Sequence, residues 1–272
     1  MSKINFDPSE EGGLELVRAI VLERLRNDKH WEQYDRSGSG FDRFVEYVGD
    51  PEHGRQKLVS LAQDVLWEFM IQGVVAPGLN ISNPNLPFFH ITDYGRKVLI
   101  EGEFLPHDPT GYLERFRSEV PSLDSTVESY LAESLNCFTR GSFIASVVML
   151  GVASERTFQL LCYSLLNAIA DTNEKSKSQE ILDKRAMKPK MDWVSNKIQI
   201  MQSKSPRPLP DNVNIMLASI FDFIRCQRND LGHPQEKPPK VTREDAYVNL
   251  RIFPSYFKMV NQIIEYFNNN QV

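Results

Sequence analysis

The chain has 272 residues, 41% hydrophobic and 25% charged, with a formal charge of −5. That composition is too apolar for intrinsic disorder and long enough for one large domain or two modest ones. A net-acidic surface excludes a general nucleic-acid magnet and leaves room only for a local basic site.

The first residues, MSKINFDPSEEGG, are acidic and polar, with no apolar leader. The most apolar stretch, Phe143 to Leu166, is interrupted by Glu155 and Arg156. The expectation is therefore a cytoplasmic protein without a membrane span. Cys137, Cys162 and Cys226 are odd in number, far apart and set in apolar helical patterns, so they read as small buried side chains. His30, His53, His90 and His107 have no metal-ligand spacing. With no glycine-rich phosphate loop, G-x-S-x-G or H-E-x-x-H run, neither a metal nor a cofactor is expected.

Two prolines in Phe104–Thr110 suggest a break, giving domains 1–105 and 106–272. The first carries 11 basic and 17 acidic residues, the second 20 and 19. Basic charge concentrates from Lys175 to Arg207, where 9 basic residues face 3 acidic ones, so the second half is the one suited to an anion.

In chain order, Leu14, Val17, Ile20, Val21 and Leu25 recur at helical spacing. A short helix is expected in Phe41–Val48 and a longer one over about Arg55–Gln72, stopped by Gly73. Val74–Gly78 and Phe88–Ile91 read as strands around a polar Asn/Pro turn, after which Thr92 caps a helix through Asp93–Glu101. Helices, a hairpin and then Ile91-Thr92-Asp93-Tyr94-Gly95-Arg96 resemble a winged helix-turn-helix domain over residues 12–103. The resemblance implies DNA binding or a protein-contact module. The apolar content of the 55–72 helix (Trp67, Phe69, Met70 and Ile71 among others) and the acidic charge favour protein contact or dimerisation.

Beyond residue 110 helices are expected at about 110–119, 123–138, 141–169, 187–203, 211–231 and 242–268, as an up-and-down bundle. Asp124 or Ser125 caps the second, and Thr242 with Asp245 forms a capping-box-like start to the last, which Pro254 should kink. The polar stretch 171–190 reads as a connector.

The run Ile224-Arg225-Cys226-Gln227-Arg228-Asn229-Asp230-Leu231-Gly232-His233-Pro234 spells R-N-x3-H. With 17 arginines and 5 histidines the R-x4-H spacing alone arises by chance about 0.3 times, so placement carries the signal. Gly232 suits the position past a helix end and Pro234 blocks continuation, so Arg228 and Asn229 fall on the last turn with His233 just beyond. In an unbroken helix residues five apart diverge by about 140°. A helix end lets them converge, and its dipole favours cations. An imidazole can move the 2′-hydroxyl or 5′-oxygen proton of RNA while a guanidinium holds the phosphate. The bland reading of the same residues is a helix C-cap.

This run, between bundle helices and before a capped terminal helix, resembles the HEPN superfamily over roughly residues 120–270, as does the upstream Gly151-Val152-Ala153-Ser154-Glu155-Arg156. The resemblance implies a mainly α protein, a winged-helix-like module followed by a HEPN-like bundle. It further implies a metal-independent endoribonuclease of toxin or antiphage type, dimeric, with Arg228, Asn229 and His233 as its catalytic set. An antitoxin or other protein partner would accompany it. Some HEPN toxins carry a tyrosine two residues after the motif His, where a partner enzyme modifies it; this chain has Gln235. Lys184, Arg185, Lys188, Lys190 and Arg225 are the candidate RNA contacts, with Trp193 available for stacking, against the alternative of a solvated face. The competing functions are a non-catalytic scaffold and a DNA-binding regulator.

Overall fold

The structure is a computed structural model. It describes residues 3–10, 13–28, 31–33, 41–100, 105–120, 123–203 and 240–272, with Leu209, Val213, Leu217, Leu231 and Glu236. The protein is mainly helical. Its described residues form two compact units, 1–114 with 139–141, and 115–138 with 142–272.

In the first unit β1 (Ile4–Phe6) leads to α1 (Gly13–Asn27), whose Val17, Ile20, Val21 and Leu25 are buried as their spacing requires. The short helix expected at Phe41–Val48 is instead a 3-10 turn, Phe41–Arg43, followed by β2 (Val45–Tyr47). Val45-Glu46-Tyr47 alternates in burial and pairs in parallel with β1, Ile4 opposite Val45 and Phe6 opposite Tyr47. Pairing with that partner overrides the local helical pattern. Helix α2 (Pro51–Ile71) starts earlier than expected because Asp50 accepts the Glu52 N–H and Pro51 pre-sets the first turn.

The expected hairpin forms from β3 (Val75–Pro77) and β4 (Phe89–Ile91), and α3 (Asp93–Ile100) follows. Thr92 caps α3 by accepting the Gly95 N–H at 2.9 Å, while its hydroxyl donates to the Gly73 carbonyl at 2.6 Å. At Gly95 any Cβ would stand 1.9 Å from the Val74 carbonyl oxygen, so only glycine lets α3 approach the hairpin. Trp31 packs edge-on against Phe41 and Phe89, and the Arg24 guanidinium lies 4.1 Å above its ring. Arg18, buried on α1, bonds Glu15 one turn back and Glu68 on α2. Thr110 donates to the same Glu15 carboxylate.

The division between units falls within α4 (Pro109–Glu119). The second unit is built from α5 (Ser125–Thr139), α6 (Phe143–Ala168), α7 (Thr172–Leu182), α8 (Met187–Gln202) and α9 (Arg243–Asn269). Its axis is the α6–α9 pair, with Leu150, Phe158, Leu161 and Leu165 meeting a face that includes Leu250, Phe253, Phe257 and Val260, all buried. The two helices run in the same direction. Tyr256 donates to the Ser154 carbonyl (3.3 Å), Ser164 to the Asn268 side chain (2.9 Å), and the Val272 N–H to the Ala168 carbonyl (2.9 Å).

The polar stretch expected as a connector is in part helix α7, capped by Asp171, which accepts the Glu174 N–H at 2.7 Å. The capping box at Thr242 and Asp245 is present, and Pro254 lies buried within α9. Of the helix expected at 211–231, Val213 and Leu217 are helical and buried and Leu231 is helical and half-buried; the rest lies outside the described residues. Helix α6 is long and apolar enough, by length and composition, to cross a membrane, and half of its most apolar window is buried inside this unit.

Candidate functional site

Arg225, Arg228, Asn229 and His233 lie outside the described residues, so the R-N-x3-H run enters the structure only through Leu231. Of the expected site, the described residues include the basic stretch between α7 and α8; the same unit also holds a joint between Asp124 and Arg156.

Asp124 precedes α5 and accepts the Thr126 and Val127 N–H groups, both at 3.1 Å, making it the cap in place of Ser125. The same carboxylate takes two bonds from the Arg156 guanidinium on α6, at 2.9 and 3.2 Å. The Arg156 hydrogen bond is the main influence holding the Asp124 carboxyl below its ordinary range, while Asp124 raises the Arg156 guanidinium. Arg156 therefore reaches a neighbouring helix from its place in an apolar one.

Beside this joint a groove of about 380 Å³ runs along α6 and α9. Thr157, Ser164, Asn167, Asn261 and Asn268 line it together with Leu160, Phe257 and Ile264. The sequence does not announce it, because its polar residues come from two helices about a hundred positions apart.

Lys184 and Arg185 are exposed just after α7, and Lys188 is exposed on the first turn of α8, in a loose 3.9 Å pair with Asp192. Lys190 is half-buried, and its charge slightly offsets the burial that pushes the Cys162 thiol up to about 12. Lys184, Arg185 and Lys188 are thus exposed around the α7–α8 connection, while Lys190 lies half-buried near Cys162. Trp193 does not join them: it is buried, 7% exposed, and cannot offer a face to a base. It falls on the inner side of α8 with Val194, so proximity in sequence misplaced it. Lys197 is also spent internally, in an ion pair with Glu174 of α7.

Cys162 is buried and Cys137 half-buried, both as free thiols. His107, fully buried in the first unit, lies 3.0 Å through Nε2 from the Tyr94 hydroxyl. Among the described residues no three His, Cys, Asp or Glu side chains cluster as metal ligands. Comparison with known protein families, curated proteins and solved structures finds no match.

Proposed function

We propose that the chain is a HEPN-type endoribonuclease that cuts RNA without a metal as a two-fold dimer, in a toxin or antiphage setting. The observation that carries this reading is the run Arg228-Asn229-x3-His233, closed by Gly232 and Pro234 between helical segments of a mainly α unit. His233 moves the proton between the 2′-hydroxyl and the departing 5′-oxygen, and Arg228 holds the phosphate as charge develops on it. Asn229 orients the phosphate or the imidazole. The attack of the 2′-oxygen on phosphorus breaks the bond to the 5′-oxygen, leaving a 2′,3′-cyclic phosphate and a 5′-hydroxyl. Lys184, Arg185, Lys188 and Lys190, with Arg225, supply the charge that draws RNA in; Lys184, Arg185 and Lys188 are exposed as that role requires.

Incubating the purified protein with mixed single-stranded and structured RNA in EDTA tests the reading. Cleavage that yields cyclic-phosphate ends and falls at least about a hundredfold in His233→Ala supports it. Equal cleavage by wild type and variant overturns it.

For the first unit we propose a winged-helix-like module that mediates protein contact. The outward face of α2 presents Trp67 and Ile71, 59% and 57% exposed and one turn apart, beside Asp64. A groove-reading helix would present arginine, lysine or amide side chains there. Tight duplex DNA binding at low salt that weakens steeply with added salt overturns this assignment.

A further inference from the structure

The groove along α6 and α9 in the second unit, about 380 Å³, falls within the size range of clefts that take small organic molecules. The class of molecule it suits follows from the hydrogen-bonding capacity its lining has left. Asp124 has little. Its oxygens are engaged by the Thr126 and Val127 N–H groups and by the Arg156 guanidinium, which also answers its charge. The Thr157 hydroxyl donates to the Ala153 carbonyl at 2.8 Å. The Ser164 hydroxyl donates to the Ile264 carbonyl and the Asn268 side chain, at 3.1 and 2.9 Å.

The carboxamides keep open capacity. Asn167, exposed on the last turn of α6, makes no side-chain hydrogen bond among the described residues. Asn261 donates to Glu265 at 3.1 Å through Nδ2 and retains its carbonyl oxygen. Asn268 accepts Ser164 through Oδ1 and retains its amide NH₂. The groove thus presents uncharged donors and acceptors together with the apolar side chains of Leu160, Phe257 and Ile264. The cations closest in sequence to the lining are already paired, Arg156 with Asp124 and Lys258 with Glu119. A phosphate or carboxylate would therefore enter uncompensated, with the Glu265 acid nearby against it.

We propose that this groove binds an uncharged nucleobase, carried by a free nucleoside or by unpaired RNA. A base sets a donor and an acceptor side by side on one edge, so a single carboxamide can pair with it while the flat face of the ring meets apolar side chains. A trans peptide points its N–H and C=O in opposite directions and cannot pair with one carboxamide in that way. Asn167, open at both ends of its amide, is the principal contact, and Leu160 and Ile264, both half-buried, meet the ring. RNA as the source rests on the endoribonuclease reading, whereas the match to a base rests on the groove alone.

Titration calorimetry of the full-length protein with adenosine, cytidine and uridine, beside ribose and N-acetylglycinamide, tests it. At least one nucleoside should bind, one per chain, about tenfold or more tighter than ribose or the amide, and no tighter as its 5′-monophosphate. Asn167→Ala, at an exposed position, should keep the fold and weaken that nucleoside about tenfold. No nucleoside binding up to about 10 mM overturns the proposal. So does binding that is indifferent to Asn167→Ala, that ribose or the amide matches, or that the monophosphate tightens about tenfold. A 2′-O-methyl RNA tetranucleotide, which cannot be cut through its 2′-oxygen, separates the sources. Displacement of the nucleoside assigns unpaired RNA and a failure to displace it assigns free nucleoside, each supporting a base site. Because binding is read without cleavage, a protein that binds nucleoside but cuts no RNA removes the endoribonuclease reading alone, and one that cuts RNA but binds no nucleoside removes this one alone.

Discussion

The Asp124 carboxylate accepts two backbone N–H groups of α5 while holding the Arg156 guanidinium of α6, so one side chain fixes both a helix start and a helix–helix contact. Asp124→Ala should cost about 1–3 kcal/mol in denaturant unfolding at pH 7, from the lost cap and the unpaired cation together. The folded carboxyl titrates lower than the unfolded one. Its contribution is therefore present above the ordinary carboxylate range and is lost as the pH falls below it, so the gap between wild type and variant should narrow at pH 3. Asp108 has the opposite sign: burial is the main influence raising its carboxyl. It costs stability once the pH exceeds the unfolded value. Asp108→Asn, which can still accept the Gly111 N–H seen at 3.1 Å, should stabilise the fold at pH 7 and lose that advantage near pH 3. At Gly95 the clash with the Val74 carbonyl gives Gly95→Ala an expected cost of about 2 kcal/mol or more, read from the shift of the thermal or denaturant midpoint.

At the scale of elements, what could be read in the sequence follows how local the controlling interaction is. Helices α1, α2, α6 and α9 have apolar stripes that bury as spaced, and the caps at Thr92 and Thr242 lie within three residues of the N–H groups they satisfy. The β1–β2 pair escapes such a reading because each strand is three residues long and its partner lies about forty positions away. Helix α7 escapes for another reason. Thr172–Leu182 buries only Ser178 and Leu182, so it carries almost no apolar periodicity, and its cap at Asp171 supplies much of its definition. Asp171→Ala should accordingly lower protection of the Thr172–Leu182 amides in hydrogen exchange while leaving α6 unchanged, at a cost of about 1 kcal/mol. The basic corner after α7 was visible as a charge run, whereas the inward turn of Trp193 depends on which face of α8 the core takes.

For the whole molecule, the proposed dimer makes a prediction that concerns stoichiometry. If each RNA-cutting cleft needs the Arg228–His233 pair of both copies, an equimolar co-assembly of wild type and His233→Ala should show about one quarter of the activity of the same total amount of wild type rather than about one half, since only homodimers of the intact chain keep a complete cleft. Retention of about half in the co-assembled mixture would mean that each copy works alone.

The bonding of Arg18 to both Glu15 and Glu68 bears on how this sequence could drift. Losing the arginine alone strands two acids around a vacated interior site, and losing either acid leaves its partners mismatched, so every single step is uphill. Replacing all three together by apolar side chains removes the buried guanidinium and the two partly exposed acids that answer it in one step. Natural variants should therefore carry the complete trio or an aliphatic trio, with intermediate combinations scarce, and a laboratory library randomised at the three positions should sort into the same two populations.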